Sequence, residues 1–429
     1  MKNKFIKSTL ILLIGGIITK LLSFIIRIYF TRNIGSGIEI YSLVMPTYSL
    51  LITITQLGFP LAISSIIAKG EKTGKNIASS IIPISIILNI FLILIVVLSA
   101  SFLSNNLLHN KEAYYPLLAC SLVLPFISIA SIIRGYFFGK QQMMPHTISN
   151  IIEQLFKLFI VIIVLPKLIK HGIIFAVTGY ILISIISETI SIIVFLLYLP
   201  KGFSIKKEDL KPDIGTIKDV LKIGIPSVSS RIIGNIGYFF EPIILTNLLL
   251  LNGFSNEYII SNYAIYNAYV IGLLVVPTYL LGAVATALLP ELSKNINNIK
   301  KVKRIFYKVL TFSLIFGIGA NIFLFFFSDE ILSIVFNTTS GYTYIKFLCP
   351  FFILYYLEAP LSIVLTAFNK TKIVMRTTTI GIVFKLITLS ILCFCNIGIY
   401  ALIISEIVDI LIVVLLNYKE TKKILKEQK

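Results

Sequence analysis

Apolar residues run through this chain in long blocks, without the alternating or one-sided patterns of a water-soluble fold. Ile86–Ala100 (IILNIFLILIVVLSA) is one such block, and similar runs recur from end to end. Their length, about 20 residues, is what an α-helix needs to cross a bilayer. A membrane β-barrel alternates apolar and polar residues. These blocks do not, so they predict helices, which satisfy every backbone polar group internally. The pattern places spans near 8–30, 40–67, 78–101, 115–136, 148–166, 173–198, 219–249, 262–289, 305–327, 343–368, 378–395 and 399–417. Met1–Lys7 is basic, as in a signal peptide. The block that follows, Ser8–Phe30, is too long for a signal core and shows no small-residue cleavage site, so it is expected to stay as the first span.

Composition supports this. Of 429 residues, 57% are hydrophobic and 13% charged, and mean hydropathy is +0.95. A soluble protein carries about 25% charged residues. A soluble enzyme, a nucleic-acid-binding protein, a disordered tail and a disulfide scaffold are all excluded. Cys120, Cys349, Cys393 and Cys395 lie in apolar segments without metal-site spacing, and His109, His146 and His171 are scattered. No metal or other cofactor is expected.

The net charge of +19 reads as topology. Alternate loops collect 28 Lys and Arg on one side and 4 on the other, with six more inside spans. The richer side is expected to be cytoplasmic, with both termini inside. The longest polar connection follows the sixth span. It divides the chain into a first lobe (1–200), a cytoplasmic linker (201–218), a second lobe (219–417) and a basic tail (418–429).

The two halves echo one another. Pro46-Thr47-Tyr48 recurs as Pro277-Thr278-Tyr279, an offset of 231. Pro60 and Phe138-Gly139-Lys140 recur as Pro290 and Phe368-Asn369-Lys370, each at 230. Six spans per repeat is an even number, so the repeats enter from the same side. The predicted architecture is all-α and polytopic: about twelve spans in two parallel six-helix lobes around a central cavity, the plan of a transporter. Prolines within spans (Pro46, Pro83, Pro125, Pro226, Pro242, Pro277, Pro350, Pro360) permit bends.

A charge inside a span costs about 2.5–3.5 kcal/mol on insertion scales, so each one is a functional candidate. Lys20 and Arg27 are seven residues apart, about 700° of helical turn, and share a face of the first span. Arg231 lies inside the seventh span. Arg27 and Arg231 are candidates to line the cavity with Lys20, because guanidinium forks suit phosphate and pyrophosphate; Arg27 also stands near enough to the span's end to snorkel. Glu153 and Lys157, at i and i+4, read as a structural ion pair. Glu188, Glu241, Glu358, Lys385, Glu406 and Asp409 complete the set, with Glu241, Lys385 and Asp409 the candidates for charge coupling. There is no GxxxxGK[ST] loop, and the connections are too short for an ATPase domain.

The segment Arg134-Gly-Tyr-Phe-Phe-Gly-Lys-Gln-Gln-Met-Met-Pro145, with Ser149-Asn150-Ile-Ile-Glu153-Gln154, resembles the stage V sporulation protein B branch of the polysaccharide flippases. These belong to a larger superfamily that includes multidrug exporters. Thr9-Leu10, Arg27, Arg32, Tyr41 to Pro46, Leu57-Gly58-Phe59-Pro60 and Ala283–Ser293 extend the resemblance over essentially the whole chain. It implies a flippase for a lipid-linked cell-wall precursor, most plausibly the undecaprenyl-pyrophosphate-linked peptidoglycan unit, with a role in the spore cortex and with Arg27 on the pyrophosphate. The partners implied are a polyprenyl-linked saccharide, membrane lipids and cell-wall synthesis proteins, and no nucleic acid. Relatives have fourteen helices where twelve are expected here. Some hold sodium in the second lobe, where Lys385 stands as a replacement cation. A cation exporter and a non-transporting wall-assembly factor are the alternative functions.

Overall fold

A computed structural model describes residues 2–70, 74–200, 210 and 212–427. Most of the expected linker 201–218, the last two tail residues and the Pro290 side chain lie outside the described residues. The helices in chain order are α1 (Lys2–Asn33), α2 (Gly37–Gln56), α3 (Phe59–Lys69), α4 (Gly74–Phe102), α5 (Tyr114–Gly139), α6 (Met143–Lys170), α7 (Ile173–Leu197) and α8 (Ile214–Leu251). They continue with α9 (Asn256–Ala264), α10 (Ile271–Leu274), α11 (Val276–Lys294), α12 (Ile299–Phe326), α13 (Ser328–Phe336), α14 (Tyr342–Tyr355), α15 (Glu358–Ala367), α16 (Thr371–Leu392) and α17 (Tyr400–Glu427). No strand occurs among the described residues.

Among the described residues, eleven helical stretches are long and apolar enough to cross a bilayer, and a pair bent by 46°, Asn256–Leu274 with Val276–Ala285, makes a twelfth. All twelve predicted spans fall on them. Large apolar side chains point outward, Leu98 80% exposed and Leu197 79%. In water such a surface would be untenable; in a multi-pass membrane protein it meets lipid. Several helices outrun their predicted spans. Arg134 lies within α5. The basic tail continues α17 as helix, because Thr421, Ile424 and Leu425 are buried while Lys419, Lys422, Lys423 and Lys426 face outward.

The chain forms two compact units, residues 1–235 and 236–429, divided inside α8. In the first, α5 packs against α2, α3, α4 and α7, and α6 packs between α1 and α7. Phe59, Ile63, Ile67, Ile77, Ile132, Phe137, Phe195 and Val220 form one of its cores. In the second, α16 and α17 are the closest pair, α11 lies on α15, and α14 touches both α12 and α17.

The second predicted span is broken into α2 and α3 at Leu57 and Gly58, which take left-handed conformations with φ of 41° and 69°. Pro60, in the first turn of α3, has no N–H to continue the α2 ladder. The break receives the start of α8: a Cβ on Gly58 would lie 2.5 Å from the Gly224 carbonyl oxygen. Asn235 Nδ2, on the same helix, donates to Thr53 Oγ1 at 2.6 Å. The eighth span breaks at a different point of the repeat. A π-helical turn over Ile265–Val270 precedes a bend at Val275, two residues before Pro277. Pro46, its sequence counterpart, lies inside an unbroken α2.

Helices end near both Phe138 and Phe368 in the same kind of cap, set two residues out of the 230-residue register. In the first unit Gln142 N bonds Phe137 O at 2.9 Å and Gln141 N bonds Phe138 O at 3.0 Å. In the second Lys370 N bonds Leu365 O at 2.8 Å and Asn369 N bonds Thr366 O at 3.0 Å. Both are Schellman caps closed by a left-handed residue, Gln141 and Asn369.

Gly58→Ala should destabilise the protein by at least the 1–2 kcal/mol or so of a left-handed non-glycine residue. Gly234→Ala on α8, where a Cβ meets nothing within 4 Å, should instead be neutral or stabilising by about 0.5–1 kcal/mol. Thermal melts read with a thiol-reactive dye, for which buried Cys120, Cys349 and Cys393 are natural reporters, check both.

Candidate functional site

Each unit holds polar side chains that its apolar helices bring together inside the membrane span. In the first unit Lys20 and Arg27 ride on α1 and Arg231 on α8; Lys20 and Arg231 are exposed and Arg27 is half-buried. Arg27 lies within electrostatic reach of the Tyr41 and Tyr180 hydroxyls. Those two rings and Phe30 form a packed trio, with Phe30 and Tyr180 stacked at 3.8 Å between centroids and Phe30 and Tyr41 tilted at 4.8 Å. The trio fixes the wall beside Arg27 through α1, α2 and α7. Thr31 Oγ1 turns back onto the Arg27 carbonyl oxygen.

Lys157 of α6 does not close onto Glu153 as an ion pair. Its Nζ donates to Ser184 Oγ of α7 at 3.0 Å and lies 5.6 Å from the centroid of the Tyr180 ring. Glu153 accepts from Gln154 Nε2 at 3.0 Å. The helices are clamped one turn away, where the Ser149 and Ser191 hydroxyls meet at 2.7 Å. So the charges on α6 are spent on bonding to α7 and to their own neighbours, and they stay one helical turn apart. Arg134 Nε, His146 Nδ1, Asn150 Oδ1 and Glu188 Oε2 are buried with no hydrogen-bond partner among the described residues.

The second unit gathers its charges at one point. Lys385 Nζ, from α16, lies 2.7 Å from Glu241 Oε2 of α8 and 2.5 Å from Glu406 Oε2 of α17. The three side chains are 11%, 3% and 16% exposed. Tyr263 is an electrostatic neighbour of Glu241, and Tyr266 Oη donates to Glu406 Oε2 at 3.3 Å. Asn267 Nδ2 donates to the Tyr238 and Tyr263 hydroxyls at 2.6 and 3.3 Å. The π-helical turn lets these residues serve the cluster: Tyr266 and Asn267 both lie inside it. Asp409 is an electrostatic neighbour of Lys385 without bonding it, and its Oδ1 is buried with no partner among the described residues. Gly381 makes room for it, since a Cβ there would lie 2.3 Å from Asp409 Oδ1. Glu358, at the start of α15, faces Asp409 and Glu406 electrostatically.

Glu241 and Lys385 are thus brought together and Asp409 is set beside them. Sequence reasoning overlooked Glu406 as the third member. Its signal was present: Glu406 and Asp409, three apart on one span, share a helical face. Tyr263, Tyr266 and Asn267 carried no such signal, because a π turn changes which residues face inward.

With this geometry in hand, comparison with solved structures is informative. A multidrug resistance MATE family transporter of the MOP superfamily, in its inward-facing conformation, superposes with a TM-score of 0.79 over 96% of this chain and 95% of its own, at 14% identity. The fold is that of the MOP superfamily transporters. The chain matches the family described as polysaccharide biosynthesis protein over residues 5–296, and it belongs to that family. It is 32% identical over 402 residues to Stage V sporulation protein B of Bacillus subtilis (strain 168), covering 90% of this chain and 77% of that one. It is also 26% identical over 197 residues to Lipid II flippase MurJ of the same organism, covering 42% of this chain and 36% of that one.

Glu241→Gln leaves the buried ammonium short of one carboxylate and should destabilise the protein by about 3–5 kcal/mol, the usual cost of breaking a buried pair. The triple replacement Glu241→Gln, Lys385→Met, Glu406→Gln removes every charge of the triad and should lie nearer to the parent protein. Melting of both variants, with the single and triple effects compared, tests whether the three act as one unit.

Proposed function

We propose that this protein is a flippase that carries a lipid-linked saccharide from the cytoplasmic to the outer leaflet of the cell membrane by alternating access, with both termini in the cytoplasm. The observation that carries the reading is the cationic set Lys20, Arg27 and Arg231 in membrane-spanning helices of the first unit, with Arg27 beside the Tyr41 and Tyr180 hydroxyls. A guanidinium in a span is expensive, and a pyrophosphate repays it with two or three charge-assisted hydrogen bonds. The tyrosines supply neutral donors next to that charge. Relationship to a protein named as a lipid II flippase and membership of a polysaccharide biosynthesis family support a pyrophosphate-linked sugar as cargo. The preferred substrate is the undecaprenyl-pyrophosphate-linked peptidoglycan unit. Similarity to a stage V sporulation protein supports a task in the spore cortex, alongside cell-wall synthesis proteins. An anionic head leaving a negative interior is helped by the membrane potential, about 2.3 kcal/mol per charge per 100 mV.

Purified protein in liposomes carrying a fluorescent lipid-linked peptidoglycan precursor should expose that precursor on the opposite leaflet faster than empty liposomes do. Arg27→Ala and Arg231→Ala should each slow this by roughly tenfold or more, the loss of one charged hydrogen bond of about 1.5–3 kcal/mol. Arg27→Lys should retain part of the activity because the charge survives without the fork. Full flipping in both alanine variants sinks the phosphate assignment. Efflux of cationic dyes with no flipping would move the protein to the exporter reading.

A further inference from the structure

The charge triad of the second unit has the form of a cation site. Three helices each bring one side chain to a single point, and two of the three are carboxylates whose oxygens lie 2.7 and 2.5 Å from the nitrogen between them. The carboxylates also face tyrosine hydroxyls that do not belong to the lysine's own helix. Tyr266 Oη donates to Glu406 Oε2, and Tyr263, which accepts from Asn267 Nδ2, lies beside Glu241. Oxygens gathered this way converge on a positive charge whether or not that charge belongs to the chain. An ammonium and an alkali cation compete for such oxygens, and here the ammonium is covalently attached.

We infer that the second unit contains a monovalent-cation site formed by Glu241 and Glu406 and permanently filled by the Lys385 ammonium, so that no alkali cation is taken up or released at this point of the working cycle. The attached cation cannot dissociate, so it supplies no ion-gradient energy. Its role is to hold α8, α16 and α17 together. Of the three charge-coupling candidates, Glu241 and Lys385 are therefore a fixed bond. Asp409, with an unbonded buried oxygen beside them, is the group left to gain or lose a charge.

The test reads binding through folding, and its result does not depend on which substrate the protein moves. Purified parent protein and Lys385→Ala are melted in chlorides of sodium, potassium, lithium and the impermeant N-methylglucamine at equal ionic strength, with the buried cysteines as reporters. The parent should melt at one temperature in all four. Lys385→Ala should melt lower in N-methylglucamine and recover by about 5–10 °C in a saturating alkali chloride, as expected for a ligand well above its dissociation constant. Adding Glu241→Gln and Glu406→Gln to Lys385→Ala should abolish that recovery, and Lys385→Arg should behave as the parent does. An alkali-dependent shift in the parent as large as that of Lys385→Ala overturns the inference. So does a Lys385→Ala protein indifferent to every cation, or one that no alkali chloride allows to be recovered folded.

Discussion

Hydrocarbon offers no water to a charge or to a backbone amide, and the architecture of this protein follows from that constraint. It makes every span a helix and sends the apolar side chains outward. It also decides which helices lie together. In the second unit, α16 and α17 approach closely because position 381 is a glycine, and that approach carries Glu406 to Lys385 and seats Asp409 against the glycine. Replace the glycine and the carboxylates are pushed from the ammonium they neutralise. Packing and electrostatics are therefore one problem here: the small residue sets the distance, and the distance determines whether the charge is affordable.

The spans were legible because the signal is crude and strong. Twenty apolar residues have few other interpretations. The breaks were less so. Gly58 and Pro60 mark the α2–α3 break in the sequence, yet hydropathy runs straight through them, and a reading based on apolar length merges the two helices. The bend at Val275 had even less to announce it. A π-helical turn adds one residue to a helical turn, and nothing in Ile265–Val270 distinguishes it from ordinary helix.

The charges show what local spacing can and cannot reveal. Glu153 and Lys157 stand at the spacing that favours an ion pair on an isolated helix in water. Inside the lobe, Lys157 is long enough to reach a hydroxyl on α7, and the Tyr180 ring offers a second attraction, so the tertiary partners take it. Glu241 and Lys385 are 144 positions apart, and no local pattern links them. What was visible was that each is too costly to stand alone in a span, which identifies members of a cluster without saying which belong together. The internal repeat behaves likewise. Both halves end a helix in the same kind of cap near Phe138 and Phe368, but two residues out of the repeat register, and the breaks, which depend on neighbouring helices, also fall at different points in the two halves.

Both units draw a charge from one helix. Arg231 and Glu241 both lie on α8, ten residues apart in the sequence. The first belongs to the unit that carries Arg27, the second to the unit that holds Lys385. On the proposed reading this matters thermodynamically. A ligand shifts a conformational equilibrium only by binding one state better than the other. Arg27 and Arg231 belong to one unit, so a phosphate held by that unit alone, in unchanged geometry, would bind both states equally and drive nothing. The bias has to enter through an element whose own conformation differs between the states. On the proposed reading α8 is the candidate, because it runs from Ile214 to Leu251 and each unit anchors its own part of it: Gly224 at the Leu57–Gly58 break in the first, Glu241 at Lys385 in the second. On that reading an anion bound at Arg231 acts on a helix whose later part is held, within the second unit, by an ammonium that cannot leave.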